Sequence, residues 1–302
     1  MDLKSIKLKE YANMEWLRSE VVVWHAVADQ LIGDYLINSD NILEIATGNG
    51  FFTFMSLGGK FDEKFDHYYS VDLDKRKNDG DIYDSFPKIQ ISKFIKQYPL
   101  KKLEVALDHK QSTLDQVKLL NLSNNYICQD ANTNFNLDNI DTIYTNSIYW
   151  LKNPLIQLER CYGRLNNGAK IILVFPNSDF FNYCRSYKKE SKMWKLLNRG
   201  RADTLMWSMD FIDFEKKINT MGYHVVDFKK YLSKLTLQID DIGLRPISPQ
   251  LIKMANSLEP NLRFEIKQEW VETMMIILTE LLDNEIQNGP KEGGYNFVVM
   301  EK

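Results

Sequence analysis

The sequence predicts an α/β protein in which a mostly parallel sheet is flanked by helices. Three observations carry that prediction. An apolar run breaks into a glycine turn at Leu43 to Phe51, acids stand at the ends of three strand-like runs at Glu44, Asp72 and Asp130, and strand-like and helix-like stretches alternate along much of the chain.

Residues 10 to 38 place Trp16, Leu17, Val21, Val22, Trp24, Ala28, Leu31, Ile32 and Tyr35 at helical spacing, which predicts one or two amphipathic helices. The first strand is Asn41 to Ile45. Gly48 and Gly50 follow it, and glycine, having no Cβ and tolerating positive φ, lets a ligand approach bare backbone. The run Phe51-Phe52-Thr53-Phe54-Met55 then starts a helix that reaches about Leu57 and is closed by Gly58-Gly59. Strand, glycine turn and helix is the order a nucleotide site requires, although Thr53 stands where a dinucleotide fingerprint wants its third glycine. His67 to Leu73, rich in aromatic and β-branched residues, reads as the second strand. Asp72 follows Gly50 by 22 residues, near the interval at which such folds place an acid for ribose hydroxyls; the alternative is that Asp72 or Asp74 only starts a turn.

Residues 75 to 110 depart from simple strand-helix-strand spacing and read as an insertion beside the site, turn-rich at first and then helical over Ile91-Ser92-Lys93-Phe94-Ile95-Lys96-Gln97-Tyr98. Gln111 to Leu120 is a helix, and Asn125 to Gln129 a third strand followed by Asp130. Ligands of open parallel sheets bind at the carboxyl ends of the strands, so Glu44, Asp72 and Asp130 are expected to converge on one crevice.

Hydrophobic residues make up 44% and charged residues 26% of the 302-residue chain, an ordinary globular composition that argues against disorder. The chain is long enough for one large domain with insertions or for two small ones. A net charge of −3 without a dense Lys/Arg stripe argues against nucleic acid and favours a small-molecule partner. Cys128, Cys161 and Cys184 are too few and too scattered for a disulfide framework or a C-x-x-C metal site, and no H-E-x-x-H run or Asp triplet occurs, so no metal is expected. The opening Met1-Asp2-Leu3-Lys4 has no signal-like apolar core, and no run approaches the roughly 20 apolar residues that span a bilayer. The expectation is a soluble cytoplasmic protein that does not engage a membrane.

The stretch Leu43-Glu44-Ile45-Ala46-Thr47-Gly48-Asn49-Gly50 closely resembles motif I of the class I S-adenosylmethionine (SAM) dependent methyltransferases, E/D-x-G-x-G-x-G, with Ala46 in place of the first glycine. Further segments resemble the same family. Gln129-Asp130-Ala131-Asn132 is similar to its "GDA" segment, and Ile140 to Ser147 to its fourth strand, "FDLVxxN". Ile148-Tyr149-Trp150 matches the aromatic run that follows, Leu155 to Phe175 the helix, tight turn and buried fifth strand, and Asp210 to Val226 the last helix and its strand. Tyr295 to Glu301 ends the chain as a seventh strand would.

The resemblance implies a Rossmann-like sheet of seven strands and SAM as cofactor. Glu44 would lie under the amino-acid part of SAM, while Ala46, Thr47, Gly48 and Gly50 would contact its carboxypropyl chain and ribose. Asp72 would take the ribose, Asp130 and Ala131 the adenine, and Asn146, at the end of the fourth strand, would also bind the cofactor. Tyr149 and Trp150 would cover the adenosine or the substrate, with plain core packing as the alternative.

Outside the resemblance lie about 75–110, 177–207 and 232–290, giving an N-terminal helical segment (1–40), a core (41–231 plus 291–302) and a helical cap (232–290) that is also a candidate oligomer contact. His25 is the candidate general base, ahead of His109 and His224, with His67 inside the second strand. The function implied is methyl transfer by in-line displacement to O, N, S or C of a small molecule. The alternatives are another reaction of the sulfonium, a cyclisation or lyase step, or an NAD-binding oxidoreductase.

Overall fold

The computed structural model describes residues 3–71, 90–187, 192, 205, 207–243 and 247–302. The N-terminal segment forms two helices, α1 (Leu3–Met14) and α2 (Val22–Ile37). Strand β1 (Ile42–Ile45) is buried throughout and passes through the glycine turn into the short α3 (Phe51–Ser56). The chain then makes β2 (Lys60–Phe61) and β3 (Ile95–Gln97), which pair antiparallel as a separate ribbon.

From there the fold alternates: β4 (Leu103–Asp108), α4 (Gln111–Leu119), β5 (Ser123–Cys128), β6 (Thr142–Thr145), α5 (Pro154–Tyr162), β7 (Lys170–Pro176), α6 (Ser178–Tyr183), α7 (Phe211–Met221) and β8 (His224–Tyr231). Three helices, α8 (Lys234–Ile242), α9 (Ser248–Ala255) and the 33-residue α10 (Pro260–Glu292), precede the last strand, β9 (Tyr295–Glu301). No helix among the described residues is long and apolar enough to cross a membrane.

The sheet has seven strands in the order β5-β4-β1-β6-β7-β9-β8. Only β9 runs antiparallel to its neighbours; every other pairing is parallel. This is the predicted Rossmann-like α/β architecture. Because β1 is bordered by β4 on one side and β6 on the other, and the chain reverses its direction of winding there, the carboxyl end of β1 is the topological switch point where such sheets take ligands.

The second strand is not where the sequence reading put it. His67 to Ser70 form a turn, and the strand beside β1 is β4, inside the stretch assigned to the 75–110 insertion. His67 and Tyr68 of that run pack in the core instead of pairing, while Tyr69 is exposed. Tyr68 is 1% exposed, Asp66 Oδ1 accepts from its backbone N at 3.0 Å, and Ser70 turns the chain at φ 60. Residues 91–98 also differ from expectation, forming a 3-10 turn (Ile91–Phe94) and then β3 in place of a helix.

Helix α10 runs past the 232–290 stretch expected as a cap and through Pro290 to within two residues of β9. It is pinned twice. Near its start, Arg263 Nε donates to Asp66 at 2.7 Å, and the buried Lys267 ammonium donates to Phe65 O at 2.7 Å. Near its end, the buried carboxylate of Glu285 accepts from Leu232 N and Ser233 N at 2.7 Å each, tying it to the entry of α8.

Candidate cofactor site

The turn after β1 is built from alternate left-handed residues: Ala46 at φ 60, Gly48 at φ 60 and Gly50 at φ 72. The position at which motif I is irregular therefore has the backbone that favours glycine, and Ala46 adopts it at a cost of roughly 1 kcal/mol. The turn hangs from the adjacent strand, since Ala46 N and Thr47 N both donate to Leu107 O, at 2.8 and 3.2 Å. Gly50 has a packing role. A Cβ there would stand 3.1 to 3.3 Å from the side chains of Leu122, Val117 and Leu120.

Asp108, which sequence reasoning missed, closes the turn from the other side. It ends β4, is 5% exposed, and its Oδ2 accepts from Gly48 N at 3.1 Å. Its Oδ1 accepts from Lys110 N at 3.0 Å and lies 3.2 Å from His109 Nδ1. A signal was available, because "LEVALD" is an apolar run ending in an acid, as at Glu44. Asp72 lies outside the described residues.

Glu44 is 3% exposed and accepts from Thr53 Oγ1 at 2.6 Å through Oε1, while Oε2 is buried without a partner. Burial pushes its carboxyl up to about 8, opposed by the Thr53 hydrogen bond and aided to a lesser degree by the charge of Asp108. Asp130 is the contrast: exposed, it accepts from Asn132 N and Nδ2 at 2.8 Å each, and these bonds hold it below the usual carboxylate range. Ala131 beside it is buried. The acids at three adjacent strand ends are thus Glu44, Asp108 and Asp130, on β1, β4 and β5.

Asn146 follows β6 half-buried, its Oδ1 accepting from Ser147 Oγ at 2.8 Å. A 3-10 turn (Ile148–Trp150) brings Tyr149 against Trp150, ring centroids 5.3 Å apart, and against Tyr295 at 6.0 Å. Trp24 of α2 meets Tyr295 at 5.0 Å, so an aromatic wall joins the N-terminal helices to the ends of β6 and β9.

The four histidines separate. His25 stands 5.7 Å from Phe52, next to the glycine turn, and 5.5 Å from Tyr11. Burial, with help from the Arg18 charge, pushes it down to about 3, and Nδ1 has no partner. His67 is buried between Phe51 and Tyr68 and is likewise pushed down to about 3 by burial. His109 is beside Asp108. His224 pairs with Glu301 at the far end of the sheet from the turn.

No family model matches the chain, and no curated protein does. The solved structures it resembles are mostly SAM-dependent methyltransferases. The plantazolicin methyltransferase BpumL, in complex with S-adenosylhomocysteine (SAH), is 15% identical with a TM-score of 0.46, covering 99% of this chain and 95% of its own. A SAM-dependent methyltransferase from Thermotoga maritima is 12% identical with a TM-score of 0.44, covering 93% and 92%. The cyclase SpnF is 10% identical with a TM-score of 0.42, covering 91% and 80%. At this level the likeness says nothing of the chain's activity.

Proposed function

We propose that this protein is a SAM-dependent methyltransferase acting on a small-molecule acceptor. The observation that carries the reading is the glycine turn at the switch point: Gly48 N fastened by Asp108 of the neighbouring strand, and below the turn a buried glutamate with one carboxylate oxygen unclaimed. An unclaimed buried carboxylate oxygen is costly. It matches a ligand that brings a positive charge, and SAM carries both a sulfonium and an ammonium.

On this reading Ala46, Thr47, Gly48 and Gly50 present the turn to the amino-acid end of SAM, with Glu44 beneath it. Asp108 takes the ribose role assigned to Asp72 by sequence, and Asp130 with Ala131 takes the adenine. When bound, SAM supplies an electrophilic methyl group. The chain's own task is then to hold a nucleophile in line and exclude water, and such positioning contributes about 7 to 11 kcal/mol in favourable intramolecular models. Asn146 joins the cofactor-binding residues, Tyr149 and Trp150 cover the adenosine or the acceptor, and 232–290 acts as a cap. His25, neutral and poorly basic, serves as a hydrogen-bond acceptor in preference to a general base.

The test has two readouts. SAM and SAH are expected to raise the melting temperature and NAD to leave it unchanged. Mass spectrometry of turnovers with candidate acceptors is expected to find SAH. Methylthioadenosine in its place would reassign the chain to another reaction of the sulfonium, and stabilisation by NAD alone would reassign it to an oxidoreductase.

A further inference from the structure

Glu44 and Tyr144 are Cα partners across β1 and β6, so their side chains leave the same face of the sheet on strands about 4.8 Å apart. Both are closed from solvent, Glu44 at 3% and Tyr144 at 0%. Each ends in an unpartnered polar atom, Glu44 Oε2 and Tyr144 Oη. Unsatisfied polar atoms on two neighbouring residues of one buried sheet face are unfavourable, because each costs stability unless something pairs with it.

The surroundings define what that something is. The groups that act on Tyr144 or Glu44 are Glu44 itself, Asp29 and Asp108 with the phenols of Tyr11 and Tyr231, and none of them is a cation. Asp29 has its own cation, Lys7 at 3.1 Å, whereas Glu44 has no ion pair among the described residues. A carboxylate oxygen and a phenol oxygen can both accept from a small multiple donor, and the acidic setting selects a positive one. An ammonium group has that chemistry.

We propose that Tyr144 is a ligand-binding residue whose hydroxyl, with Glu44 Oε2, receives the α-ammonium group of SAM. This rests on the methyltransferase reading above and adds a contact that makes the site selective for the intact amino-acid end. Tyr144 thereby discriminates SAM and SAH from methylthioadenosine, which shares the nucleoside and lacks the amine.

Tyr144→Phe tests it by calorimetric titration with SAH and with methylthioadenosine. The expected result is an SAH affinity about tenfold weaker, an unchanged affinity for methylthioadenosine, and a melting temperature equal to or above that of the wild type, since an unsatisfied buried hydroxyl is removed. Unchanged SAH affinity overturns the proposal, as does an equal loss for both ligands, which would make Tyr144 structural. If the wild type binds neither ligand, the cofactor reading fails and the proposal with it. Should the variant not fold, a crystal structure of the wild type with SAH decides: Tyr144 Oη within hydrogen-bonding distance of the ammonium nitrogen supports the assignment, and a longer separation or a water in that place overturns it.

Discussion

Replacing Glu44 by Gln removes an acid whose burial opposes its ionisation at neutral pH. Its carboxyl rises from 4.5 to about 8 on folding, chiefly through burial, so between those values the folded chain binds a proton that the unfolded chain has released. Stability contributed by the protonated group is therefore lost as pH climbs through that window. At ~1.4 kcal/mol per pH unit the full span is worth about 5 kcal/mol, an upper bound because burial relaxes on ionisation. Gln keeps the acceptor that Thr53 Oγ1 uses and does not titrate. Urea unfolding of both proteins at pH 6 and pH 8.5 measures the effect. The wild type should lose stability relative to Glu44→Gln by roughly 2 kcal/mol or more across that interval. Parallel curves would refute the reasoning, since they would mean that Glu44 ionises in the folded chain as it does in water. In the same variant SAH affinity should fall, because Gln cannot release a proton to become the counter-charge of the bound ammonium group.

Gly50→Ala should destabilise by about 1 to 3 kcal/mol, read as a lower denaturation midpoint, because φ 72 disfavours a side chain and the new Cβ meets Leu122, Val117 and Leu120. Arg263→Ala should cost about 3 to 5 kcal/mol by leaving the largely buried Asp66 carboxylate unpaired, and adding Asp66→Ala should recover part of that loss; additive effects in the double-mutant cycle would contradict the coupling. For methyl transfer, kcat against pH between 5 and 8 should show no ionisation that His25→Ala abolishes, because burial keeps His25 neutral throughout that range; a step removed by the substitution would restore it as a base.

Local chemistry made much of the fold legible. The glycine turn, the helix at Gln111 and the strand β5 follow from periodicity and turn residues read over short windows, whereas β6, β7 and β9 were expected from the family resemblance of their segments. The second strand was misplaced because two apolar runs competed for one position. The run from His67 has the richer β composition, yet it forms a turn that buries Tyr68, while "LEVALD" pairs with β1 through a partner far along the chain. Strand pairing is a long-range property, and composition does not encode which run wins. Asp108 was lost with its strand. Tyr144 was hidden for another reason: a tyrosine in a buried strand reads as core, and only the register shows that it shares a sheet face with Glu44 on the neighbouring strand.

Helix α10 ties distant parts of the chain together mechanically. From Arg263 to Glu285 it reaches about 33 Å at 1.5 Å per residue, fastened at one end to the 63–66 loop and at the other to the entry of α8, and it runs on into Tyr295 of the aromatic wall. A rod held at both ends does not swing. Access for an acceptor must come from segments other than this helix, and a disturbance at Asp66 is carried along the rod to the rings beside Tyr149.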